Sequence, residues 1–382
     1  MDPQLRILVV DDSALVRRML REVLESDPGV RVVAEAANGR EALDRVAELR
    51  PHLVTLDVRM PVMDGVETTR QIMAYYPTPI LVLTASLSSY DVDITFKMLG
   101  AGALDVMEKP QLADAAAIER CKRALLRKVH LLARVKVVTH LRGRRHEWAG
   151  GALDPQARRR ATGLAPASDA PLRILTAAHP SAARAPAVAE AAPFPVIVIG
   201  ASTGGPRVVR QIVGGLPPDF PGAVLVVQHI APGFSAGLAE WLAAATPLPV
   251  RLAAEGDRLD PGVVLVAPDR FDLLVQPDGR LHLSGLPLLL QRPAIDIAMQ
   301  SVAAVYRESA VGILLTGMGR DGAIGMQAIL RAGGYTIAQD EASCTIFGMP
   351  RAAIELGTAA SVLPPSRIVE ALLERLTPTM RP

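Results

Sequence analysis

Short continuous apolar runs alternate along the chain with stretches in which apolar positions recur every three or four residues, and this alternation predicts the elements. Residues 5–10 form an apolar run broken only by Arg6, and Ser13 then stands at an N-cap position for a helix that stops near Asp27-Pro28-Gly29. Residues 31–35 read as a strand and 39–49 as a helix, and 53–56, 80–83 and 104–107 are further strands, each followed by a helical stretch. Five such strand-helix units predict a doubly wound parallel sheet, whose ligands sit outside the carboxyl ends of the strands. From about Asp114 a basic helix runs to about Val138. Residues 150–195 are rich in Ala, Pro, Arg and Gly with weak periodicity, which predicts a linker holding at most short pieces such as 172–175. Order returns at Pro195, with strands at 196–199, 223–227, 263–266, 271–275 and 311–315 and helices at 234–245, 295–306 and 321–331. The parallel reading applies again, and Gln276-Pro277-Asp278-Gly279 turns an antiparallel hairpin. The chain therefore divides into 1–125, a basic helix and linker over 126–193, and 194–382: an α/β protein with two doubly wound parallel-sheet domains.

Composition narrows the class. Half of the 382 residues are hydrophobic and 21% are charged, so each domain can bury a core and global disorder is excluded. Aromatic residues are only 3%, so the cores are built from Ala, Val, Leu and Ile. Lys plus Arg is 41 and Asp plus Glu 39, a net +2 that gives no general attraction for nucleic acid or anionic membrane. Positive charge concentrates between Leu112 and Arg160, with 13 Lys or Arg against 4 Asp or Glu; around Arg142, Arg144 and Arg145 it reads as a solvated tether rather than a surface for an acidic receptor, anionic lipid or nucleic acid, while Trp148 within it favours a partner. Cys121 and Cys344 are too far apart in sequence for a disulfide framework or a metal cluster, which fits a reducing compartment. Met1-Asp2-Pro3-Gln4 has no signal-peptide character, and no apolar run approaches the roughly 18 residues of a membrane span. The expectation is a cytoplasmic protein that is not membrane-inserted.

Two constellations carry chemistry. Asp11 and Asp12 close the first strand, Asp57 the third and Thr84 the fourth, and Lys109 follows the fifth. Any one of these alone is an ordinary turn residue. All five at strand ends of one parallel sheet share an edge, and the oxygen donors suit a hard cation such as Mg²⁺. With Lys109 and the cation offsetting charge, Asp57 can attack a phosphoryl group. The spacing resembles the receiver domain of two-component response regulators over about residues 4–125. That resemblance implies a flavodoxin-like domain with Asp57 as phosphoacceptor, Asp11, Asp12 and Asp57 at the metal, Thr84 and Lys109 sensing the phosphoryl group, and a histidine kinase as donor. Receivers often carry Tyr or Phe three residues before the Lys; here that position is Val106.

In the second half, Gly200-Ala201-Ser202-Thr203-Gly204 fits G-x-S-x-G, a tight turn that exposes a serine hydroxyl at a helix start. A phosphate-binding loop and a plain tight turn compete as readings, although the Walker Lys-Ser/Thr pair and G-x-G-x-x-G are absent. His229 ends the next strand, and Asp321 lies in Thr316-Gly317-Met318-Gly319-Arg320-Asp321-Gly322, where an N-cap is its simpler role. Nucleophile, base and orienting acid at three strand ends is the arrangement that acyl transfer requires. The order Ser, His, Asp differs from that of an α/β-hydrolase, and His282 lies within a strand.

These motifs, with Ala338-Gln339-Asp340-Glu341-Ala342 and Phe347-Gly348-Met349-Pro350, resemble the catalytic domain of the chemotaxis protein-glutamate methylesterase/glutamine deamidase family, the CheB family. The resemblance covers 196–375 and implies a Rossmann-like domain with Ser202 as nucleophile, His229 as general base and Asp321 as its orienter. Thr203 assists, and the Met318 N–H contributes to an oxyanion hole. The implied substrates are methyl-accepting chemotaxis receptors, and the implied control is a receiver that covers the Ser202 site until Asp57 is phosphorylated. Departures are Ile230-Ala231-Pro232 after His229, Phe271-Asp272 in place of His-Leu, and the long linker. A competing reading is a response regulator whose C-terminal domain only binds a protein or nucleotide; a DNA-binding output lacks a helix-turn-helix pattern.

Overall fold

A computed structural model describes residues 4–85, 89–109, 115–137, 194–286 and 292–376. The tract with Arg142, Arg144, Arg145 and Trp148, residue Val138 and the stretch 172–175 lie outside the described residues. In the N-terminal half, β1 (Leu5–Val10), β2 (Val30–Ala36), β3 (Leu53–Asp57), β4 (Ile80–Thr84) and β5 (Asp105–Glu108) form one parallel sheet in the order β2-β1-β3-β4-β5. They alternate with α1 (Ala14–Glu25), α2 (Gly39–Leu49), α3 (Gly65–Tyr75), α4 (Ser89–Ala101) and α5 (Ala115–Leu132). Ser13 does cap α1, accepting the Val16 N–H at 3.4 Å, and Asp64 caps α3 at the Glu67 N–H at 2.8 Å. Strands β3 and β4 are buried throughout, which is why they read as unbroken apolar runs. Helix α5 lays Leu125, Val129 and Leu132 against Ile7, Leu20 and Leu24 of the same core.

In the second half, β6 (Val196–Ala201), β7 (Ala223–Gln228), β8 (Val250–Leu252), β9 (Val264–Val266), β12 (Ala310–Leu314), β13 (Tyr335–Gln339) and β14 (Ser361–Leu363) make a second parallel sheet. Its order is β14-β13-β12-β6-β7-β9-β8. The expected hairpin forms as a separate antiparallel pair, β10 (Asp272–Val275) and β11 (Leu281–Ser284). The helices are α6 (Gly205–Gly214), α7 (Ser235–Ala243), α8 (Ile295–Tyr306), α9 (Ala323–Arg331), α10 (Met349–Glu355) and α11 (Pro365–Leu376). The apolar pattern does not mark β8, β13, β14, α10 or α11. The strands among them are three to five residues long and the outer two lie at sheet edges, too short for a period of two to stand out.

The two halves pack on each other. Phe96 of α4 is fully buried, edge-on to Phe234 at 6.5 Å and stacked on Trp241 of α7 at 5.4 Å. The Arg210 guanidinium lies 4.6 Å from the Trp241 ring. At Gly237 a Cβ would fall 2.1 Å from Val92 Cγ1, so α4 and α7 approach as closely as glycine permits. Against the unfolded chain, burying a phenyl ring such as Phe96 contributes about 2–3 kcal/mol.

Candidate active site

The site grows from three neighbouring strands of the second sheet. Strand β6 is central, with β7 on one side and β12 on the other, and all three run parallel, so their carboxyl ends share one edge. Ser202 follows β6, His229 follows β7, and residues 315–322 follow β12. The Ser202 N–H donates to Thr316 O at 3.0 Å and the His229 N–H to Ala201 O at 2.8 Å. The Gln228 amide Nε2 donates both to Ser202 O at 2.8 Å and to His229 O at 2.9 Å, tying nucleophile and base to one side chain. Two glycines permit the tight fit. Gly204 has φ +77°, and a Cβ on Gly317 would lie 2.6 Å from Ser202 Cβ.

Asp321 Oδ2 lies 2.7 Å from His229 Nε2, which leaves Nδ1 as the ring nitrogen able to take a proton. The same carboxylate accepts the backbone N–H groups of Ile295 and Asp296, each at 2.9 Å. The simpler N-cap reading does not hold: Gly322 holds the N-cap of α9, and Asp321 caps the neighbouring helix α8 instead. Burial pushes the Asp321 carboxyl up, but the bond and charge of His229, with the two amides, outweigh it and hold the group below the usual carboxylate range.

Ser202, Thr203, His229 and Met318 line one cavity of about 220 Å³, and its other wall is the N-terminal domain: Asp105, Val106 and Met107 of β5 and Ala124, Arg127, Lys128 and Leu131 of α5. The Thr203 hydroxyl donates to Asp105 Oδ2 at 2.8 Å, and Lys128 Nζ is paired with the same oxygen. Arg292 also faces this cavity. Sequence reasoning missed Asp105, Lys128, Gln228 and Arg292 as site residues. Only Gln228 carried a signal, its place beside His229.

At the carboxyl edge of the first sheet, ligand oxygens of Asp11, Asp12 and Asp57 lie within 4.8 Å of one another. Lys109 Nζ contacts Asp11 Oδ2 at 2.6 Å and Asp57 Oδ1 at 2.9 Å, and Asp57 Oδ1 also accepts the Val58 N–H at 2.7 Å. Two buried carboxylates share one ammonium. Burial works to lower Lys109 and the carboxylates outweigh it, keeping the amine charged; Asp57, undercompensated, is pushed up by its burial despite Lys109. Thr84 is buried at the end of β4, and its carbonyl accepts the Lys109 N–H at 2.7 Å. The excess negative charge and oxygen-only donors fit a hard divalent cation. Val106 is buried and pairs with Val82 of β4. Burial pushes the Cys344 thiol up to about 12, so it is no nucleophile at neutral pH.

The chain matches the family described as "CheB methylesterase" over residues 197–372 and "Response regulator receiver domain" over 7–119. It is 41% identical over 369 residues to a protein-glutamate methylesterase/protein-glutamine glutaminase of Symbiobacterium thermophilum, covering 96% of each chain. It is 44% identical over 375 residues to a protein of Anaeromyxobacter dehalogenans with the same name numbered 2, covering 98% of this chain and 97% of that one. The crystal structure of the Thermotoga maritima CheB methylesterase catalytic domain is 38% identical, covering 48% of this chain and 100% of that chain with a TM-score of 0.47.

Proposed function

The chain belongs to the CheB methylesterase family, and from that premise we propose that Ser202, His229 and Asp321 carry its hydrolysis of glutamate methyl esters and glutamine amides. It is a protein-glutamate methylesterase and protein-glutamine glutaminase joined to a receiver domain. Ser202 Oγ attacks the side-chain carbonyl carbon of the substrate while His229 Nδ1 takes the hydroxyl proton. Asp321 holds the Nε2 proton and stabilises the imidazolium that forms. The tetrahedral oxyanion is met by the Met318 N–H, with Thr203 assisting. His229 returns the proton to the departing methoxide or amide, giving methanol or ammonia and an acyl-serine. Water, deprotonated by His229, then releases the glutamate carboxylate and restores Ser202. One observation supports this assignment above the others: Nε2 of His229 is fixed by Asp321 beside Ser202 in a shared cavity.

Control follows from the same cavity. β5 and α5 form the cavity's outer wall and Thr203 is bonded to Asp105, so the receiver crowds the approach of a receptor helix to Ser202. Asp57 accepts the phosphoryl group from a chemotaxis histidine kinase. Asp11, Asp12 and Asp57 would hold Mg²⁺, which when bound neutralises charge around that group. A phosphoryl group on Asp57 draws Lys109 away from Asp11, and Lys109 directly follows β5, which begins at Asp105. Phosphorylation thereby shifts the population toward receivers lifted off the site. Residues 1–125 form the receiver, 126–193 the basic helix and tether, and 194–382 the catalytic domain. The substrates are methyl-accepting receptors and the setting is cytoplasmic; among the described residues no helix is long and apolar enough to cross a membrane. Ser202→Ala is expected to lower methanol release from methylated receptors by more than about 10⁴-fold while leaving the unfolding midpoint unchanged. Turnover retained in that variant contradicts the assignment.

A further inference from the structure

Helices α8 and α9 each lack a side-chain cap of their own: Ala294 stands at the N-cap of α8 and Gly322, at φ +92°, at that of α9. Each helix is capped by an aspartate of the other. Asp321, just before α9, accepts the Ile295 and Asp296 amides at 2.9 Å. Asp296, in the first turn of α8, accepts the Gly325 amide at 2.6 Å, and the amides of Gly322 and Ile324 also point to it. Glycine keeps the two elements this close, since a Cβ on Gly325 would lie 3.2 Å from Asp296 Cα and 2.5 Å from Met299 Cβ. Asp296 is buried, and no Lys or Arg pairs with it among the described residues.

We propose that Asp296 is the positioning residue of the esterase: its amide holds Asp321 Oδ1 while its carboxylate clamps the 322–325 turn, so Asp321 is fixed against His229 from both sides. The inference rests on the triad assignment above. Asp296 also adds a second negative charge behind Asp321. That charge favours the imidazolium of His229, the species that forms when Ser202 gives up its proton. The other charged groups around His229 are Asp321 itself, Arg292 ahead of α8, and Asp105, Arg127 and Lys128 of the receiver. Asp272 of β10 lies beyond α8, where its Oδ1 accepts the Ala294 N–H at 2.9 Å.

The test uses full-length protein with a small phosphodonor, on membranes carrying methylated receptors, with Ser202→Ala run alongside. Asp296→Ala is expected to lower kcat by about 10- to 100-fold with KM within about twofold, since a small misplacement of a catalytic group costs up to about 10²-fold. Asp296→Asn keeps an acceptor for Gly325 and is expected to recover most of kcat, while the acidic limb of its pH profile moves to lower pH. A parental kcat in Asp296→Ala overturns the proposal. So does an acidic limb that does not move in Asp296→Asn, which is read alone if the alanine variant does not fold. Turnover that survives Ser202→Ala is a failure of the triad assignment instead, visible in the parental background.

Discussion

Asp321 carries three hydrogen bonds on two oxygens, from an imidazole and two helix amides, and this load gives it a testable acid signature. Its folded carboxyl titrates below the ordinary value of 3.8, so its charged form contributes stability that is fully present above that value and lost as the pH falls through the lower folded one. In denaturant unfolding, the stability gap between the parent and Asp321→Asn is expected to shrink between pH 6 and pH 3; a gap constant over that range contradicts the hydrogen-bond reading. Asp296 and Asp57 carry the opposite sign, because burial raises both and their charged forms become costlier as the pH rises. The proximity of the proposed site residues was legible in the sequence because strand ends of a parallel sheet converge: Asp11, Asp12, Asp57 and Lys109 cluster, and Ser202 and His229 share a cavity. Asp296 was not, since an aspartate in a first helical turn is what any helix favours, and the amide it binds, that of Gly325, lies 29 residues on.

Between elements, α4 and α7 make the close contact on which the proposed docking of the receiver depends. Its core is Phe96 against Phe234 and Trp241, and its tightest point is Gly237 over Val92. Neither Gly237 nor Val92 belongs to the catalytic machinery. A single methyl at Gly237 has no space, so Gly237→Ala is expected to raise methanol release without phosphodonor several-fold, toward the phosphorylated level. Parental release from the unphosphorylated variant contradicts a docking role for this contact. The elements themselves were largely visible as apolar runs, α2 and α8 to the residue. The pairing of α4 with α7 was not, because Phe96 and Trp241 read as ordinary core aromatics until the two sheets are seen side by side. Likewise Asp105 reads as a strand-start residue until Thr203 is beside it.

On the scale of the whole molecule, two parallel sheets turn functional edges to one chain of contacts: Asp57 to Lys109, along β5 to Asp105, and across to Thr203 beside Ser202. The position three residues before Lys109, where receivers often carry an aromatic, is a buried valine, and the same strand reaches Thr203 through Asp105. The order of receiver and methylesterase domain was legible in the sequence; the direction of control was only an expectation, because it depends on which face of the receiver lies on the esterase. The most direct test is methanol release from methylated receptor membranes by the full-length protein, with Mg²⁺, with and without a small phosphodonor, for the parent and for Asp57→Ala. The expected result is release that rises with the donor in the parent and does not respond in Asp57→Ala. Release in the parent that is unchanged by the donor, or a donor response that persists in Asp57→Ala, contradicts receiver control through Asp57.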